Sequence, residues 1–139
     1  MGSVRGLALA AVLLAAASCA RTYYKDFVVE PQDRAYAARA QFEDVTSYLR
    51  SRGLRTVIET NNLLEVEIEP GDTLLVRLLP DEKVELTLTR RSKGSDFTAA
   101  EVQRFQETFA GRMREQTGRA VTIRLVDEGV KPLTNIKLQ

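Results

Sequence analysis

The chain has 139 residues, no histidine and one cysteine, and its 20 basic and 19 acidic side chains nearly cancel. Without histidine, and with a single thiol, the sequence excludes Cys/His zinc sites, Cys-His nucleophiles and Ser-His-Asp triads. The balanced charge argues against nucleic-acid binding, which normally shows a basic excess. The length suits a single domain. We expect no enzyme, no cofactor and no metal site.

The N-terminal residues have the composition of an export signal. Arg5 provides a positive start, and an apolar run of 11 residues follows from Leu7 to Ala17. This run is too short to cross a bilayer, since a spanning helix needs about 20 apolar residues. Small residues then lead to Cys19, as they do before a signal-peptide cleavage site.

These residues resemble a bacterial lipoprotein signal peptide with its lipobox. The resemblance implies cleavage after residue 18 and a lipid anchor with acyl chains such as palmitate on Cys19. It divides the chain into a signal peptide (1–18), a lipidated cysteine with a short tether (19–26) and one domain (27–139). Ala20, and not Asp, follows the cysteine, which favours an outer-membrane lipoprotein facing the periplasm; an inner or plasma membrane is the alternative. An ordinary secretory signal with an incidental cysteine also stays open.

The domain is predicted to begin with a helix, followed by four strands. The helix spans about Gln32 to Arg52, with Asp33 as its N-cap and Gly53 as its stop. Short turns separate the apolar segments after it, so neighbouring strands are antiparallel. The predicted strands are Leu54 to Thr60, Leu63 to Glu69, Thr73 to Leu79 and Lys83 to Arg91.

A second helix and a fifth strand complete the prediction. Thr98 and Glu101 form a capping box, and the apolar stripe of the helix consists of Val102, Phe105, Phe109 and Met113. A strand follows from Arg119 to about Val126, and Ile136 and Leu138 in the tail add a short edge segment. The fold class is α+β: a two-layer sandwich in the order α-β-β-β-β-α-β, with a four-stranded antiparallel meander plus a further strand and both helices on one face.

The open face of this sheet is the main candidate for a binding surface. Apolar residues interrupt its charged side chains, and such patches often mark partner surfaces. The alternative is that the tail or the segment Phe27–Val29 covers them. Four residues define the predicted partner surface: Val57, Leu75, Arg77 and Leu79. The carboxylates Glu65, Glu67, Glu69 and Asp72 alternate along a line, about 7 Å apart, and so do not surround a metal ion.

Three functions remain after these exclusions. The first is a membrane-anchored, non-catalytic periplasmic module that binds or assembles with an envelope protein. The second is a binder of a small amphiphile or an envelope glycan, which predicts a cavity lined by Phe42, Leu49, Phe105 and Phe109. The third is a carboxylate-dependent enzyme. The plan of two helices and an antiparallel sheet is similar to small accessory lipoproteins of envelope transport and assembly machines, a likeness of fold only.

Overall fold

A computed structural model describes residues 21–92 and 95–132 of the chain. Within these residues the protein is α+β, with a six-stranded antiparallel sheet and two helices, which confirms the predicted class. The elements in chain order are β1 (Arg21–Pro31), α1 (Ala38–Ser51), β2 (Arg55–Thr60), β3 (Leu63–Glu69), β4 (Asp72–Leu79), β5 (Lys83–Ser92), α2 (Ala99–Thr117) and β6 (Val121–Pro132).

The sheet has the strand order β2-β3-β4-β5-β1-β6. Strands β2 to β5 are neighbours in the order of the chain, each antiparallel to the next. β1 then lies between β5 and β6 and pairs with both, so the first strand links the β2–β5 meander to the last strand. Among the described strands, β2 and β6 lie at the two edges of the sheet.

β1 differs from the prediction, which assigned residues 19–26 to a tether and began the domain at residue 27. Residues 21–26 belong to β1, and the element order therefore starts with a strand. Alternation explains the strand, because Lys25, Phe27 and Val29 are buried and the residues between Lys25 and Val29 are less so. The charged Lys25 and Asp26 hide this apolar alternation in the sequence. Cys19, the signal peptide, and Ile136 and Leu138 lie outside the described residues.

Both helices contribute to one apolar core on a single face of the sheet. Val45 of α1 and Met113 of α2 are fully buried in the same cluster as Phe27, Val76 and Leu86. The opposite sheet face, called here the outer face, carries the alternate residues of each strand. Burial of this kind, at about 25 cal/mol per Å² of apolar surface, is the main stabilising contribution to such a domain.

The helix ends differ in how well the sequence marks them. The predicted capping box is present in α2, where Thr98 Oγ1 accepts from the Glu101 N–H at 3.1 Å and Glu101 accepts from the Thr98 N–H at 3.0 Å. Gly118 ends α2 with φ 71°. α1 starts later than predicted, because Asp33 accepts from the Ala35 N–H within a separate turn rather than capping the helix.

β6 is longer than the predicted strand that ended at Val126. It continues to Pro132 because a β-bulge lies opposite the step from Asp26 to Phe27 of β1. Asp26 pairs with Asp127 and Phe27 with Leu125, which leaves Val126 as the extra residue. A bulge inserts one residue and lets pairing resume beyond it.

Candidate binding sites

The outer face of the sheet brings together three of the four residues of the predicted partner surface. Leu75, Arg77 and Leu79 follow one another at alternate positions of β4 and are half-buried. Leu75 lies between Glu65 of β3 and Thr87 of β5 in the strand register. The apolar residues on this face are therefore flanked by polar neighbours.

Arg77 is not a free cation on this face. It forms an ion pair with Glu85, its direct neighbour in the register of β4 and β5. The Glu85 side chain is largely buried, whereas that of Arg77 is partly exposed. Arg77 is thus held within the sheet by an ion pair of the chain itself.

Val57, the fourth predicted residue, lies at the edge of the sheet. β2 has a bulge between Thr56 and Ile58, so Ile58 and not Val57 pairs with Glu65 in the row of Leu75. The exposed fractions are 42% for Val57 and 49% for Ile58. The sequence did not predict Ile58 on the outer face, because sheet faces are assigned from strict alternation along a strand and the bulge shifts that alternation by one residue. Val57 and Ile58 together are called the edge pair below.

The segment Phe27–Val29 does not cover the outer face. It is part of β1, which lies within the sheet beside β5, and Phe27 and Val29 are buried on the helix side. That alternative to an open face is therefore wrong for the described residues. The residues after 132 lie outside them.

Two carboxyl groups on the outer face have raised pKa values. Burial is the main cause for Asp26, and a hydrogen bond from the Thr87 hydroxyl at 2.7 Å partly offsets it. Burial also raises the pKa of Glu65, and the positive charge of Arg91 opposes that shift. Both groups lie in partly desolvated positions on the face that carries Leu75.

The carboxylates that were considered as metal ligands, Glu65 to Asp72, do not all lie on the same face of the sheet. Asp72 lies on the helix side, where it accepts two hydrogen bonds of 2.9 Å from Arg90. Glu67 pairs with Arg55 at 2.8 Å. Among residues 21–92 and 95–132, no group of three acidic or thiol side chains is arranged to hold a metal ion.

A groove of about 330 Å³ opens between the two helices and the sheet. It is called the interlayer groove below. Its walls include Leu49, Phe105 and Phe109, three of the four residues predicted to line a cavity. Phe42, the fourth, is buried in the core and does not line it. The volume lies near the lower end of the range of roughly 300–1,000 Å³ for small-molecule sites.

Charged groups also line the interlayer groove. Arg90 donates to Asp72 and, at 2.8 Å, to Glu101. Its guanidinium also lies 4.2 Å from the centre of the Phe97 ring. The Arg90 hydrogen bond lowers the pKa of Glu101 to about 2. The groove thus combines apolar walls with a fixed, fully paired charge cluster.

Lys25 is a buried cation that the sequence did not single out. Its side chain is 6% exposed, and its Nζ lies 3.2 Å from Asp96 and 3.6 Å from Glu128. These contacts join β1 to the segment before α2 and to β6. Lys25 is therefore used in holding the fold together.

Comparison with known proteins gives no functional assignment. No protein-family model matches the chain, and no curated protein matches it either. Among the described helices, neither has the length and apolarity needed to cross a bilayer. Function is therefore inferred from the outer face, the edge pair and the interlayer groove.

Proposed function

We propose that this chain is a lipoprotein of the cell envelope, anchored through Cys19 and facing the periplasm from the outer membrane. In this proposal the domain is a small non-catalytic module that binds an envelope protein. The observation that carries it is the edge pair: Val57 and Ile58 are adjacent, exposed and apolar, and they lie in the middle of an edge strand.

An edge strand offers unpaired backbone donors and acceptors that a strand of another protein can use. All six residues of β2 are exposed, and within residues 21–92 and 95–132 β2 pairs with β3 alone. Natural sheets usually protect such an edge with charged side chains. Here Arg55 pairs with Glu67, and Glu59 pairs with Arg50 of α1. The strand's own charges are thus engaged within the chain, next to the edge pair.

The outer face extends this surface from the edge into the sheet. Ile58, Glu65 and Leu75 occupy one row across β2, β3 and β4. A partner strand added to β2 would place its own side chains beside this row, since residues directly opposite lie about 5 Å apart. Backbone pairing would supply affinity, and the row would supply specificity.

Partner capture by variants tests this proposal. Ile58→Asp places a charge in the edge pair without removing a buried side chain, so the fold should persist while capture of the envelope partner falls at least tenfold. Thr122→Asp, an exposed position on the opposite edge strand, is the matched control. Equal capture by the wild type and Ile58→Asp would reject the edge as the binding site.

A second candidate function is binding of a small amphiphile, or of an envelope glycan, in the interlayer groove. The apolar walls and the charge cluster around Arg90 favour it, because amphiphiles need both kinds of contact. Titration with a fluorescent fatty acid tests this candidate, with Phe105→Ala as a variant that widens the groove. Saturable binding that changes in Phe105→Ala supports the groove, and no saturable binding to the wild type removes the candidate.

The anchor has its own test, independent of either binding function. Metabolic labelling with a fatty acid should mark the wild type and not Cys19→Ala. Equal label in both chains would reject Cys19 as the site of lipidation.

A further inference from the structure

Three basic residues lie at the end of the sheet where β1 begins, and two of them, Arg91 and Lys131, share the outer face with Thr22. Arg21 is the first residue of β1, and Thr22 next to it pairs with Arg91 of β5 on one side and Lys131 of β6 on the other. Neighbouring strands lie about 4.8 Å apart, so the Cα atoms of Arg91 and Lys131 are about 10 Å apart. Their long side chains can therefore reach one common ligand. Arg21, Arg91 and Lys131 are called the basic end.

The basic end differs from Lys25, Arg77 and Arg90, whose charges are engaged in ion pairs. Within the described parts of the chain, none of the three forms an ion pair with a carboxylate. Lys131 instead lies 4.9 Å from the centre of the Tyr24 ring. The positive charge of Arg91 acts to lower the pKa of Glu65, although the two side chains do not form an ion pair.

Thr22 adds a second, independent observation. It lies between Arg91 and Lys131 in the register and is 4% exposed. Its hydroxyl has no hydrogen-bond partner in the described structure. A buried hydroxyl without an acceptor is unusual. An anionic oxygen placed between the two cations would accept from this hydroxyl as well.

The position of the basic end relative to Cys19 suggests the source of such an anion. Arg21 lies two positions after Cys19 in the chain, and two residue steps span at most about 7 Å. This step rests on the proposed lipid anchor at Cys19. With the anchor in a bilayer, the basic end stays within about one Debye length, 8 to 10 Å, of the headgroups.

We infer that the basic end binds the phosphate of an anionic phospholipid, held between Arg91 and Lys131 above Thr22. The arginine fork matches phosphate oxygens, and lysine supplies a compact charge. This contact fixes the orientation of the domain: the start of β1 faces the membrane, and the turns at the opposite end of the sheet face the periplasm.

A tryptophan reporter tests this contact in the lipidated protein. The chain contains no tryptophan, so Val130→Trp places one fluorophore beside Lys131 at an exposed position. The protein is reconstituted into vesicles with brominated phosphatidylglycerol or with brominated phosphatidylcholine at equal bromine content. Brominated phosphatidylglycerol should quench more strongly, because each cation enriches anionic lipid about fivefold, equivalent to about 1 kcal/mol.

Paired substitutions supply the control. Arg91→Gln with Lys131→Gln should bring the quenching of the two lipids close to equality. Arg34→Gln with Arg124→Gln, at the far end of the domain, should leave the preference unchanged. Equal quenching in the wild type, or a preference that survives Arg91→Gln with Lys131→Gln, would overturn the inference. Thermal melts of each variant confirm that the domain is folded.

Two further measurements separate this inference from the proposed function. Vesicle flotation is combined with acyl labelling: a wild-type chain that takes no label and still prefers phosphatidylglycerol vesicles through Arg91 and Lys131 would reject the anchor and keep the phosphate contact. Added inorganic phosphate reports the source of the anion. If millimolar phosphate abolishes the lipid preference at constant ionic strength, the site takes free phosphate and the assignment to lipid is overturned.

Discussion

Replacing Glu101 with glutamine tests how much the charge of this side chain contributes to stability. Glu101 accepts hydrogen bonds from the Thr98 N–H at 3.0 Å and from Arg90 at 2.8 Å. The bond from Arg90 is the main cause of its lowered pKa, about 2. Glutamine can still accept from the Thr98 N–H, as in other capping boxes. The substitution therefore removes the charge and keeps the cap.

The expected cost is small although the pKa shift is large. A pKa lowered from 4.5 to about 2 would correspond to about 3 kcal/mol if all of it reached the folding equilibrium. The Glu101 side chain is 38% exposed, however, and solvent screens such a pair to about 1 kcal/mol or less. Arg90 also keeps both hydrogen bonds to Asp72. We expect Glu101→Gln to lower the free energy of unfolding by about 0.5–1 kcal/mol at pH 7.

The contribution should depend on pH in a definite direction. The pKa of Glu101 is lower in the folded chain than in the unfolded chain, so its charge stabilises the fold above pH 4.5 and less as the pH falls toward 2. Urea unfolding followed by circular dichroism at pH 7 and pH 3 measures this. Glu101→Ala, which also loses the cap, should cost about 1 kcal/mol more. The reasoning is refuted if glutamine costs as much as alanine, or if the difference between wild type and Glu101→Gln is as large at pH 3 as at pH 7.

Three further substitutions test other parts of the account. Lys25→Met should lower the free energy of unfolding by about 1 kcal/mol or less, because the Asp96 and Glu128 side chains that lose their partner are 42% and 56% exposed and stay solvated; a loss above 2 kcal/mol in urea unfolding would contradict this. Gly129→Ala should lower the free energy of unfolding by about 1 kcal/mol, since the added Cβ would lie 2.9 Å from the Tyr24 hydroxyl. This loss should largely disappear in a Tyr24→Ala background, and a loss that persists there would show that the strain has another source. Leu75→Asp should leave the thermal melt within a few degrees of wild type and weaken partner capture, and normal co-purification of the partner would count against the outer face.

The elements that the sequence predicted well are those whose signals are local. The capping box of α2 involves residues three apart, and both hydrogen bonds form as expected. β3 and β5 alternate apolar and polar residues over short distances, with Leu64, Val66, Val84 and Leu86 fully buried. Such patterns are fixed by neighbours along the chain.

β1 was missed because its stabilising contacts are distant in sequence. Thr22 pairs with Arg91 and Lys131, so nothing near residue 22 indicates a strand. Lys25 occupies a position on the core side, where alternation predicts an apolar residue. Its charge is accommodated by Asp96 and Glu128, two groups that are adjacent only in the fold.

The residues that share the outer face were predicted in part, for a related reason. Leu75, Arg77 and Leu79 do share the outer face, as strict alternation predicts. The bulges at the two edge strands break that rule, and both place exposed apolar residues, Val57 with Ile58 on β2 and Val126 on β6. The position of a bulge depends on pairing with the neighbouring strand, and the apolar pattern along one strand contains no information about that pairing.

The most direct test of the central claim is photo-crosslinking in living cells from position 58. A photoreactive amino acid at Ile58 should capture one envelope protein, and the same residue at Thr122 on the opposite edge should not capture it. The adduct should disappear when Val57 is replaced by Asp in the same chain. Capture of the same protein from both edges, or no adduct from position 58 in cells that carry the lipidated chain, would contradict the proposal that this domain binds a partner through its β2 edge.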